Sequence, residues 1–121
     1  MRALIVESKG ALARLWARHL TRHGIDADIA HGINQATALM LEKPYQILVI
    51  DLMLDDQSAL AVADFASYRH PGARVIFVTN TSFFSDGSIF RYCANACAFV
   101  QSDTPPEDLV AMVSHYGERT V

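Results

Sequence analysis

Several residue types are scarce in this chain. Its 121 residues include two cysteines, one tryptophan and four prolines, and Lys9 and Lys43 are its only lysines. Two cysteines are too few for a disulfide framework, and the spacing of Cys93 and Cys97 matches no standard zinc pattern. Both read as small core-filling residues in a reducing cytoplasm. No apolar run approaches the roughly 20 residues that span a bilayer, and the start lacks the charged-then-apolar layout of a signal peptide. No membrane role is expected, and the cytoplasm is the expected location. Positive charge is not in excess either. The formal net charge of -3 argues against a nucleic-acid-binding surface.

What is present reads as one domain over residues 1–121, with 51% apolar residues. Strand-like and helix-like stretches alternate without an internal repeat. Residues 3–7 form the first strand. Leu12, Leu15, Trp16, His19 and Leu20 then recur at helical spacing up to Gly24. A half-exposed edge strand follows around Asp26 to His31, with Ile25, Ala27 and Ile29 alternating against polar residues. A second helix covers about Asn34 to Lys43 and is ended by Pro44. The unbroken run Ile47-Leu48-Val49-Ile50 reads as a strand buried on both faces. A third helix is expected from about Ser58 to Tyr68, a fourth strand over 74–79, and a short fourth helix near Asp86 to Cys93. Ala98-Phe99-Val100 is the fifth strand. Thr104 as N-cap, Pro105 at the first helical position and Glu107 in a capping box open the last helix.

Five strands joined by helical crossovers imply a flavodoxin-like, doubly wound α/β fold with five helices and a parallel sheet ordered 2-1-3-4-5. Its switch point lies between strands 1 and 3, where ligand chemistry sits in such sheets. Glu7 after strand 1 and Asp51 at the end of strand 3 would face each other there, with Thr79 ending strand 4.

This ordered set resembles the receiver domain of response regulators in two-component phosphorelay signalling. The matching stretches are Leu4-Ile5-Val6-Glu7-Ser8, Ile47 to Leu54, Val78-Thr79-Asn80 and Ala96-Cys97-Ala98-Phe99-Val100, so the resemblance covers essentially the whole chain. It implies Asp51 as the phosphoacceptor position of a phosphoprotein and Thr79 as the hydroxyl that contacts the phosphoryl group. It also implies Phe99 as the switch aromatic, and Glu7, Asp51 and the Met53 carbonyl as ligands of Mg²⁺.

The departures from that pattern are specific. The second acid after strand 1 is replaced by Ser8, and the strand-5 lysine by Ser102, or by Gln101 if the loop shifts by one. The usual proline and glycine after the phosphoacceptor are Asp55 and Ala59. Phosphoryl transfer to a carboxylate depends on positioning and on cations at the phosphoryl oxygens, and a serine hydroxyl is a poor substitute for a carboxylate ligand of a hard ion. Mg²⁺ is therefore expected to bind weakly, with no cofactor firmly implied. Two mechanisms compete, a weak Mg-dependent aspartyl-phosphate switch and a pseudo-receiver whose contacts no longer need phosphate, and the two losses favour the second.

Other residues carry weaker signals. Arg14, Arg18 and Arg22 form a basic stripe on helix 1 that reads first as a solvated face. His19 and His23 share the inner side of that helix without a third metal ligand. Lys9 reads as a solvated helix-start lysine, and Asp55 and Asp56 as turn or cap residues. Phe83 and Phe84 stand in a polar stretch, where two aromatics are hard to hide, and are candidate contact residues.

The expected activity is binding rather than catalysis, since no nucleophile–base pairing is visible. Expected partners are a histidine kinase, a phosphotransfer protein or an output protein, and self-association through helix 4, strand 5 and helix 5 is the homodimer the resemblance allows. A flavodoxin-type small-molecule binder is the more distant alternative; Glu7-Ser8-Lys9-Gly10 is a poor phosphate cradle.

Overall fold

The computed structural model describes residues 1–79 and 95–117. Strands β1 (Arg2–Val6), β2 (Asp26–Ala30), β3 (Ile47–Asp51), β4 (Arg74–Thr79) and β5 (Ala96–Gln101) form one parallel sheet in the order β2-β1-β3-β4-β5. The expected order therefore holds, for the expected reason: the three solid apolar runs are central and the alternating one is an edge. Ile47 to Ile50 are fully buried, as are Val75 to Val78.

Side-chain alternation divides these strands between two cores. Leu4, Val6, Leu48, Ile50, Val75 and Phe77 face α2 (Ile33–Glu42) and α3 (Ala59–Arg69). Ala3, Ile5, Ile47, Val49, Ile76 and Val78 face α1 (Gly10–Arg22) and α4 (Pro106–Gly117). Trp16 lies in this second core at 3% exposure, as its helical spacing indicates. Burying one such large side chain contributes about 2–3 kcal/mol. On the edge strand, Asp28 accepts the Tyr45 hydroxyl at 2.7 Å and the Lys43 ammonium at 3.3 Å, which fastens the turn before β3.

Four helices are present among the described residues; the one expected near Asp86 to Cys93 lies outside them, as do Asn80, Phe83, Phe84 and Cys93. The start of the last helix needs correction. The Pro105 carbonyl accepts the first helical bond, from Leu109 N–H, so Pro105 is the cap and Pro106 the first helical residue. Thr104 instead closes a turn through its own N–H to the Gln101 carbonyl. A proline suits either place, which made the one-residue shift invisible in the sequence. The histidines of α1 also differ from expectation. His19 is half-buried and His23 exposed, and the ring Nδ1 of each sits on the carbonyl four residues earlier, at 3.0 and 2.9 Å.

Candidate functional site

Parallel pairing sets the site. Val6 lies opposite Ile50 across β1 and β3, so the next residues, Glu7 and Asp51, emerge side by side at the carboxyl edge. Asp51 pairs in turn with Val78, the neighbour of Thr79. All three polar residues are enclosed: Glu7 is 0%, Asp51 7% and Thr79 6% exposed. Asp51 Oδ1 accepts the Met53 N–H at 2.9 Å, which turns the chain sharply after β3. Just past β5, the Ser102 N–H reaches the Thr79 carbonyl at 2.9 Å; Ser102 is half-buried and Gln101, which pairs with Thr79, is exposed. Phe99 is half-buried with its ring 6.0 Å from that of Phe77, and the Met53 side chain is exposed.

Among the described residues no donor lies within hydrogen-bonding geometry of either Glu7 oxygen, and the group nearest in effect is the Asp51 carboxyl. Burial and the adjoining Asp51 carboxyl push the Glu7 acid up to about 8, against a weaker pull downward from Lys9. Near neutral pH the pair therefore holds a proton, which can bridge from Glu7 to Asp51. Two ionised carboxylates about 4 Å apart would repel by on the order of 4 kcal/mol in a partly screened site. Protonation of Glu7 relieves that repulsion.

Ser8 does something the sequence did not disclose. Its hydroxyl donates to the His31 carbonyl at 3.2 Å and accepts the Asp55 N–H at 2.9 Å. It joins the loop after β1 to the loops after β2 and β3. His31 Nδ1 donates to the Glu7 carbonyl at 3.0 Å, and Gln35 accepts the His31 N–H at 2.7 Å. Asp56 belongs to the same network: one oxygen takes the Ile33 N–H at 3.0 Å, and the other takes the Ser58 N–H at 3.1 Å and the Ser58 hydroxyl. Those donors, the Ser58 hydroxyl first and the Ile33 N–H next, hold the Asp56 carboxyl below its usual value. One signal was legible, since His31-Gly32 gives α2 no side-chain cap of its own. That leaves its first amides to water or to a side chain from elsewhere, without marking which residue supplies it.

The donor set fits a divalent ion badly. Burial and Asp51 raise the Glu7 acid, the Ser8 hydroxyl already donates to His31 and accepts from Asp55, and no cluster of three His, Cys, Asp or Glu suited to a metal occurs among the described residues.

Comparison with known proteins agrees with this architecture. The VpsR domain family matches residues 1–114. The response regulator protein PilR of Pseudomonas aeruginosa is 28% identical over 64% of this chain and 18% of its own length. The photosynthetic apparatus regulatory protein RegA of Rhodobacter capsulatus is 29% identical over 63% of the chain and 41% of its own. The chain thus spans well under half the length of either relative. A CheY-like receiver domain from Methanospirillum hungatei superposes with a TM-score of 0.86 at 23% identity, covering 97% of this chain and 93% of that one.

Proposed function

This chain belongs to the VpsR domain family and is a response-regulator receiver domain of two-component signalling, and from that premise we propose that it works as a pseudo-receiver. In this reading residues 1–121 form one cytoplasmic receiver-like domain without catalytic activity, which signals by binding a protein partner. A histidine kinase, a phosphotransfer protein or an output protein fits that role, and neither nucleic acid nor membrane is contacted. Asp51 holds the phosphoacceptor position, Thr79 the phosphoryl-contacting one and Phe99 the switch aromatic, but Asp51 is phosphorylated weakly or not at all. The observation that carries the reading is Ser8 at the position of the second acid, its hydroxyl engaged by the His31 carbonyl and the Asp55 N–H. A phosphoryl group on Asp51 needs cations at its oxygens. Here Ser8 and Ser102 stand where an acid and a lysine would be.

Intact-mass spectrometry after treatment with acetyl phosphate and Mg²⁺ tests this. Little modified protein is expected, and Asp51→Asn should leave partner binding nearly unchanged. A large, hydroxylamine-labile gain of one phosphoryl group, lost in Asp51→Asn, would instead establish a conventional Mg-dependent switch.

A further inference from the structure

We propose that a hydrogen-bond clasp built on Ser8 and Asp56 fixes the loops around Asp51 in place of a divalent ion. A metal in an intact pocket of this kind would join the loop after β1 to the loop after β3 through ligands from both. Here the same two loops are joined by Ser8 Oγ, which accepts the Asp55 N–H and donates its own O–H to the His31 carbonyl. The next residue, Asp56, closes the second half of the clasp on the first amide of α2. The loops after β1, β2 and β3 are thereby tied to one another without a cation.

Two further features show that the clasp is fitted to its place. A Cβ on Gly32 would lie 2.5 Å from Asp56 Oδ2, so a side chain at position 32 would push the carboxylate away from its present place on the Ile33 N–H. The backbone of Gly32 is extended, so the requirement is one of space and not of conformation. Directly after Asp56, Gln57 takes φ +57°, a left-handed geometry uncommon for a residue with a side chain. The bonds of Asp56 to Ser58 and of the Gln57 N–H to the Leu54 carbonyl surround it and hold that turn. Ser8 is thus a positioning residue that occupies a ligand position and makes the ligand unnecessary for loop order. The clasp does not rest on the proposed loss of phosphorylation, since it holds whether or not Asp51 accepts phosphate.

Amide-resolved hydrogen exchange of the full chain, in EDTA and then in 10 mM MgCl₂, tests the clasp. The Asp55 and Ile33 amides should be protected in EDTA and should change less than about twofold with Mg²⁺. Ser8→Ala should speed Asp55 exchange about tenfold, the effect of losing one net hydrogen bond of typical strength; Ser8→Thr, which keeps the hydroxyl, should restore protection. Asp56→Ala and Gly32→Ala should each speed Ile33 in the same way, while Ile5 and Val49 in the sheet stay protected. An Asp55 amide that exchanges as in an unstructured peptide in EDTA would overturn the proposal. So would a tenfold slowing by Mg²⁺, or an Asp55 rate indifferent to Ser8→Ala. None of these readings involves phosphate, so they can fail independently of the phosphorylation assay.

Discussion

At the scale of single residues, Glu7 is the group whose chemistry the fold changes most. Its ordinary value is 4.5 and its folded value about 8. Between those values the folded chain holds a proton that the unfolded chain has lost, so this group makes stability fall as pH rises from about 4.5 to about 8. Below and above that window it contributes no slope. Glu7→Gln should remove this component: melting profiles in EDTA should diverge as pH rises from 5 to 8, with the variant gaining relative to the parent. Parallel profiles would mean that Glu7 is not held protonated. Ser8 supports a second expectation. Ser8→Asp places a carboxylate at a ligand position and removes the donor to the His31 carbonyl, so Mg²⁺ affinity should rise by at least tenfold in a calorimetric titration. Unchanged affinity would show that Glu7 and Asp51 cannot join a coordination shell even when a third acid is supplied.

At the scale of elements, α2 shows how local sequence and tertiary structure divide the work. Its N-cap is Gly32, with no side chain to offer, and its first amide is satisfied by Asp56 from the loop after β3. Asp56→Ala should therefore cost about 1 kcal/mol in urea denaturation, the usual loss for a capping side chain, with an unchanged m-value. Because donors hold the Asp56 carboxyl low, its contribution should be present above its ordinary value of 3.8 and fade as pH falls through the lower folded value. A loss under about 0.3 kcal/mol would mean that water serves the Ile33 N–H equally well.

The strands were legible because both faces of β1, β3 and β4 are buried, which demands continuous apolar runs and leaves Glu7, Asp51 and Thr79 as abrupt polar ends. Their meeting follows from strand order and register alone. The clasp was not legible, because its bonds run between a short side chain and backbone groups 23 to 47 residues away. Nothing local marks such a pairing. Asp56 could be read as a cap, but not as the cap of a helix that precedes it in the chain.

At the scale of the whole molecule, ligand linkage gives the most direct measure of whether this domain depends on a metal. A ligand that binds only the folded state stabilises it by RT ln(1 + [L]/Kd), so 10 mM Mg²⁺ at a Kd of about 0.1 mM would add about 2.7 kcal/mol. In a domain of this size that would raise Tm by roughly 10 °C. The protonated Glu7, the engaged Ser8 hydroxyl and the backbone bonds of the clasp all oppose such binding: the first withholds charge, the second withholds an oxygen, and the third supplies the loop order that a metal would otherwise add. At a Kd of about 10 mM the same arithmetic gives about 0.4 kcal/mol, so the expected rise in Tm between EDTA and 10 mM MgCl₂ at pH 7 is under about 2 °C. Ser8→Asp should widen that gap. A rise near 10 °C in the parent chain would show that Glu7 gives up its proton to the ion, and that the carboxyl pair still works as a metal site.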